Sequence, residues 1–243
     1  MLQEKTWKTE SVLRLLMAVF GSWSAGLLLA GLLVKFNPQW SDERIKLLSM
    51  VIVTSAFHGA ALLWINLFLR QEKISWSEAF GFKTVFGIRR ALLAIIAALL
   101  VLPVAWGLQQ LSAKAMTALH RIPESQQAVQ ILQQGGMSLF QQIFLGVVTI
   151  VGAPVVEELL FRGILYPTIK RSGFPKLALC GTSILFAATH QNLPAFLPLV
   201  FFAMILTLLY EETNNLLAPI IAHSTFNTIN FIMLLFAKKF TNL

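Results

Sequence analysis

The sequence predicts an all-α membrane protein, a polytopic bundle of about seven spanning helices within a range of six to eight. Hydrophobic residues make up 56% of the 243-residue chain and charged residues only 12%, whereas soluble domains carry about 25% charged residues. The mean hydropathy is +0.71, and the apolar residues form long runs between short polar segments. We therefore expect a single integral membrane domain over residues 1–243, with no second domain.

Seven apolar segments can be drawn as spanning helices. The first follows Lys8 and Arg14, but its apolar run is longer than the core of a signal peptide, so we expect a retained helix. Pro194 and Pro198 interrupt an otherwise continuous run, which is divided into two helices near that point. The predicted segments are 15–34, 47–69, 91–111, 139–169, 177–194, 195–210 and 216–236.

The positive charges predict orientation and partners. Lys and Arg are more numerous in the connections that would share a side with the N-terminus, which favours a cytoplasmic N-terminus. The net charge of +8 lies mainly in short loops, so anionic lipid head groups are expected partners. No basic stripe follows any one element, so nucleic acid is not expected to bind. We expect an integral multi-pass protein of a prokaryotic cell membrane.

The last apolar segments contain polar side chains that are costly at membrane depth. Such side chains are rare there and usually face a protein interior or a water cavity in which they function. The residues are Glu157, Glu158, Arg162, His190, His223 and Asn227. Because packing alone does not require so many polar groups, we interpret them as an active site built by catalytic helices within residues 139–236.

The acidic pair divides into two roles. Glu158 and Arg162 are four residues apart, which places them on one helix face and favours an intrahelical ion pair. Glu157 points about 100° around the helix from Glu158. It has no partner nearby in sequence, so it is the candidate general base. Pro154 removes one backbone hydrogen bond just before the carboxylates and is expected to kink the helix and open carbonyl groups.

The histidines have a structural alternative. His190 lies four residues after Phe186, so a supporting stack of the two rings is expected on one face, and His223 and Asn227 are also four apart. Each histidine alone is typical of a satisfied core residue, and a His–Asn pair can simply join two helices. At 1.5 Å per residue, Glu157 and His190 both fall about 20 Å from the loop between their helices, and His223 is shallower.

The motifs E-E-L-L-F-R, F-A-A-T-H and N-L-L-A-P-I-I-A-H-S-T-F-N, in this order, resemble those of the CAAX-protease and bacteriocin-processing (Abi) family. Its members are glutamate-type intramembrane endopeptidases, which include the type II CAAX prenyl endopeptidases. The resemblance covers about residues 139–236. It implies that Glu157 and His190 activate a water molecule and that His223 and Asn227 stabilise the oxyanion. Glu158 and Arg162 would support the site, and the substrate would be a membrane-associated peptide or a prenyl protein.

Three alternatives remain open. No metal or other cofactor is expected, but two histidines and a glutamate are a familiar set of catalytic zinc ligands, even though no H-E-x-x-H motif is present. The chain could instead be a non-catalytic membrane adaptor or a bacteriocin-immunity protein. It could also be a transporter with a proton relay, although no inverted repeat is evident.

Overall fold

The computed structural model of the chain describes residues 7–82, 85–124, 129–130 and 137–241, and these residues form helices and connections without any strand. The ends of the predicted domain, residues 1–6 and 242–243, lie outside the described residues. In chain order the helices are α1 (Thr9–Phe36), α2 (Asp42–Thr54, continued by Ser55–Gly59 and Ala60–Gln71), the short α3 (Trp76–Ala79), α4 (Ile88–Ala118), α5 (Leu139–Val147 continued to Tyr166–Arg171), α6 (Pro175–Thr189), α7 (Leu193–Thr213) and α8 (Leu217–Thr241).

The predicted polytopic helical bundle is confirmed. Six helices in the described part of the chain, α1, α2, α4, α5, α7 and α8, are long and apolar enough to cross a membrane. The predicted segment 177–194 is too long, because α6 has only 15 residues and ends at Thr189. Gln191 then adopts a left-handed backbone with φ of 48°, and the Asn192 side chain caps the start of α7 by accepting from the Ala195 amide. Among the described residues, the six full spans and the shorter α6 agree with the predicted range of six to eight helices.

Helix α5 contains two π-helical turns, which the sequence prediction of a kinked α-helix did not include. They cover Val148–Gly152 and Leu159–Leu165, and the α-helical turn Ala153–Glu158 lies between them. A π-helical turn shifts the hydrogen-bond register by one residue and often occurs at a functional site. Both carboxylates of the motif therefore stand in the short α-helical turn between two changes of register.

The packing places α5 beside the helices that carry the other motifs. Helix α5 packs against α6 and α8, while α7 packs against α4, α6 and α8. Close approach of α8 is possible at Gly146, where a Cβ atom would lie 3.3 Å from the ring of Phe231. The three predicted motifs therefore meet on neighbouring helices.

The N-terminal segment also reaches α5. The indole Nε1 of Trp7 donates to the carbonyl of Gly163 at 3.1 Å, and Trp7 is 5% exposed with its ring 5.0 Å from that of Phe68. Trp7 thus joins the segment before α1 to α5 through a buried hydrogen bond.

Replacing Trp7 by phenylalanine is expected to lower the free energy of unfolding by about 1–3 kcal/mol, because a buried carbonyl loses its donor. Phenylalanine keeps a ring that can still pack against Phe68, so the change mainly removes the N–H donor. Unfolding of the wild type and of Trp7→Phe in mixed micelles measures the cost. An unchanged free energy of unfolding would show that this hydrogen bond adds nothing to stability.

Candidate active site

The centre of the site is a fully buried carboxylate that joins two helices. Oε1 of Glu158 accepts from Nη1 of Arg162 at 2.8 Å and from Nδ1 of His223 at 2.9 Å. The expected ion pair between Glu158 and Arg162 is therefore present, and it is buried, with side-chain exposures of 0% and 1%. Because a carboxylate only accepts, Nδ1 of His223 carries the proton in this bond, and Nε2 is the ring nitrogen on the side of Glu157.

Arg162 is held by four separate contacts. Besides Glu158, it donates from Nη2 to the Ala203 carbonyl at 2.9 Å and from Nε to the Thr207 hydroxyl at 3.3 Å. Its guanidinium carbon also lies 4.8 Å from the centre of the Phe186 ring. A buried charge is tolerated only when its donors are satisfied. Two helices, α6 and α7, therefore help to fix the carboxylate that positions His223.

Glu157 differs from its neighbour in its contacts. Its side chain is 17% exposed, and its Oε2 lies 3.8 Å from Nε2 of His223, which is longer than a hydrogen bond. Oε2 is buried without a hydrogen-bond partner among the described residues, as is Oε2 of Glu158. The difference is that Oε1 of Glu158 accepts two hydrogen bonds, whereas Glu157 makes none with the described residues. Glu157 is thus the carboxylate left available for a substrate or a water molecule.

Phe186 connects the two histidines. Its ring is 4.9 Å from that of His190 and 5.8 Å from that of His223, measured between centroids, and Phe186 is completely buried. Nδ1 of His190 donates to the Phe186 carbonyl at 2.8 Å, so its Nε2 remains as an acceptor. The imidazole that lies against Glu157 is that of His223, and the recorded contacts join His190 to the cluster through Phe186.

Asn227 lies one turn beyond His223 on α8 and contacts the start of the motif region on α5. Its Nδ2 donates to the carbonyl of Thr149 at 2.8 Å. A side-chain amide has two N–H donors, so one remains for a ligand. The structure thus places Glu157, Glu158, His223 and Asn227 along the α5–α8 contact, and Arg162 supports it from the side of α6 and α7.

Sequence analysis did not identify several residues of this cluster. Thr207 and the Ala203 carbonyl belong to α7, which contains none of the motifs, so no spacing indicated them. Pro154 was a partial signal, because a proline in an α-helix frees the carbonyl four residues earlier, which is that of Ile150, and the π-helical turn moves the free carbonyl to Thr149. No group of three or more His, Cys, Asp or Glu side chains placed to hold a metal ion occurs within the described ranges.

Comparison with known proteins agrees with the three motifs. Residues 139–229 match the family model described as type II CAAX prenyl endopeptidase Rce1-like. The matched region includes every residue of the cluster on α5, α6, α7 and α8, and the resemblance predicted from the sequence is confirmed over this region. Helices α1, α2 and α4 lie outside it.

A curated relative matches a similar share of the chain. The UPF0177 protein YxdF of Lactococcus lactis subsp. lactis (strain IL1403) is 33% identical over 90 residues, which cover 37% of this chain and 47% of that protein. The chain thus spans about half the length of the curated relative it matches. No solved structure matches the chain.

Proposed function

We propose that the protein is an intramembrane endopeptidase of the glutamate type, which hydrolyses a peptide bond of a membrane-associated peptide or protein without a metal ion. The observation that carries this proposal is the carboxylate of Glu157, whose Oε2 is buried 3.8 Å from Nε2 of His223 and makes no hydrogen bond within the described residues, whereas Glu158 already binds Arg162 and His223. A carboxylate in this position can remove a proton from a bound water molecule. The Rce1-like match over residues 139–229 supports the same class of reaction.

The reaction requires a base, a water molecule and donors for the oxyanion. Glu157 takes a proton from water while the water oxygen bonds to the substrate carbonyl carbon. Nε2 of His190, an acceptor in its present hydrogen-bonded form, orients that water. The proton held by Glu157 then passes to the leaving amide nitrogen as the C–N bond breaks, so a carboxylic acid and an amine are released. No covalent enzyme intermediate is needed.

Asn227 and His223 are the proposed oxyanion donors. Asn227 can donate with the N–H that does not bind Thr149. Because Glu158 fixes the proton on Nδ1 of His223, Nε2 donates only when the ring is protonated. The two carboxylates outnumber the single guanidinium in the buried cluster, so an imidazolium would bring its charge to zero. In known hydrolases one oxyanion donor is worth about 2.7–4 kcal/mol of transition-state stabilisation.

The substrate class follows from the location of the site and from the matched family. A cluster buried among spanning helices acts on a chain that reaches membrane depth. The family description names a CAAX prenyl endopeptidase, so an S-farnesylated peptide that ends in C-A-A-X is the first substrate to test. The other expected partners are the lipids around the apolar helices. A cytoplasmic N-terminus and a prokaryotic cell membrane remain predictions.

Proteomics of membrane-protein termini tests the proposal in cells. Cells with the wild-type protein are compared with cells that carry Glu157→Gln at the same abundance. New termini that depend on Glu157 are expected and would identify substrates. A cellular phenotype that survives Glu157→Gln without any such termini would favour a membrane adaptor or immunity protein instead.

Treatment with a chelator separates the metal-free mechanism from zinc catalysis. Cleavage of the farnesylated peptide by purified protein in nanodiscs is expected to continue unchanged in excess EDTA. Glutamate and histidine then act on water directly, so removal of divalent ions changes nothing. Loss of cleavage that only Zn²⁺ restores would reject this mechanism and favour a His–Glu zinc site.

A further inference from the structure

The Thr149 carbonyl on α5 lacks the backbone donor that a helix normally provides. In the π-helical turn Val148–Gly152 the amide of Ala153 donates to the Val148 carbonyl. The next donor in this register would be residue 154, and Pro154 has no N–H. A carbonyl inside a membrane protein needs a partner. Asn227 provides it, with Nδ2 2.8 Å from the Thr149 oxygen.

This bond restricts the side chain that is proposed to stabilise the oxyanion. One N–H of the planar Asn227 amide is directed at Thr149, so the direction of the other N–H is fixed as well. His223, one turn earlier on the same face of α8, is fixed in the same way by Glu158 on α5. Helix α5 thus orients both proposed donors, one through a carboxylate and the other through a backbone carbonyl.

We infer that Pro154 is a positioning residue for the reaction: by withholding a backbone N–H, it leaves the Thr149 carbonyl to hold Asn227 in the orientation that catalysis uses. This inference rests on the proposed function and extends it to a residue that makes no contact with the reacting atoms. A proline that only kinks α5 would act through its ring. In this inference the missing N–H positions Asn227, so the effect of the ring and the effect of the missing N–H can be tested separately.

Two substitutions at residue 154 separate them. Pro154→Ala adds an N–H that can donate to Thr149 and release Asn227. Replacement of Pro154 by lactic acid, introduced by nonsense suppression, adds the same methyl side chain through an ester linkage and therefore supplies no N–H. The pair differs in the N–H and the ester linkage, and the ring is absent from both. Pro103→Ala, at an exposed proline inside α4, controls for the removal of any helical proline.

The first measurement does not depend on activity. With ¹⁵N-asparagine in nanodisc samples, the side-chain amide signal of Asn227 is assigned by its loss in Asn227→Ala. We expect this signal to shift in Pro154→Ala and to keep its wild-type position in the lactic acid variant and in Pro103→Ala. An Asn227 signal that is unchanged in Pro154→Ala, or equally shifted in the lactic acid variant, would overturn the inference.

The second measurement uses cleavage of the farnesylated peptide. Pro154→Ala is expected to lower kcat by about 10- to 100-fold, since a misplacement of about 1 Å can cost 100-fold, while KM is unchanged and the unfolding midpoint is no lower than in the wild type. The lactic acid variant should retain the wild-type kcat. A fall in kcat that follows a loss of stability would show that Pro154 is only structural.

The two measurements also distinguish this inference from the proposed function. If the wild-type protein does not cleave the peptide but the Asn227 signal follows the N–H at residue 154, the protease proposal fails for that substrate class and the positioning contact stands. If the peptide is cleaved but Pro154→Ala and the lactic acid variant behave alike, the protease proposal stands and the inference is wrong.

Discussion

Glu157→Gln is expected to lower kcat for peptide cleavage by about 10²–10⁴-fold, the usual contribution of a general base. Glutamine has nearly the same shape but cannot accept a proton from water at this position. Oε2 of Glu157 has no hydrogen-bond partner among the described residues, so the change breaks no recorded bond of that atom. The free energy of unfolding should therefore stay within about 0.5 kcal/mol of the wild-type value.

The matched control for this prediction is Glu212→Gln. Glu212 lies exposed near the end of α7, away from the cluster, so its neutralisation should leave both kcat and stability unchanged. Single-turnover cleavage in nanodiscs measures the chemical step directly for both variants. A Glu157→Gln protein that keeps more than a tenth of the wild-type rate would show that another group removes the proton.

The helical fold could be predicted because hydropathy has a simple physical cause. A spanning helix needs about 20 apolar residues, and that requirement is visible in the composition of each run. The end of α6 could not be predicted in the same way. It depends on the left-handed backbone of Gln191 and on the cap from Asn192, and the surrounding residues remain apolar on both sides of this break.

The parts of the site that could be predicted depend on spacing within one helix. The pairs Glu158–Arg162 and Phe186–His190 follow from the four-residue period, and both contacts are present. Contacts between helices depend on rotation and tilt, which depth along a helix does not give. The expected partnership of Glu157 with His190 stays a prediction, since the recorded neighbour of Glu157 is His223.

Hydrogen bonds to backbone carbonyl groups were the part of the site that the sequence predicted least. The bonds from Asn227 to Thr149, from Arg162 to Ala203 and from Trp7 to Gly163 all end on carbonyl oxygens. Every residue has a carbonyl, so residue type gives no signal for such a bond. Pro154 indicated that a nearby carbonyl would be free, but which carbonyl depends on the helical register, and the π-helical turn was not predicted.

Arg162→Met is expected to give the largest loss of stability, about 3–5 kcal/mol, because it leaves the buried Glu158 carboxylate without its cationic partner. The guanidinium also bonds Ala203 and Thr207, so the substitution loosens α7 from α5. Arg162→Lys should also be strongly destabilised, although it keeps the charge, since an ammonium cannot reproduce the planar set of donors. Unfolding in mixed micelles measures these differences.

The double variant Glu158→Met and Arg162→Met separates stability from catalysis. Removal of both charges should restore most of the lost stability, since a buried ion pair replaced by apolar groups of similar volume is often close to neutral. Additive losses would show instead that the two side chains are not coupled. The restored protein should still fail to cleave the farnesylated peptide, because Nδ1 of His223 has lost the carboxylate that orients its ring. Recovery of stability without recovery of activity is the result that assigns Glu158 a role in positioning His223 as well as in pairing Arg162.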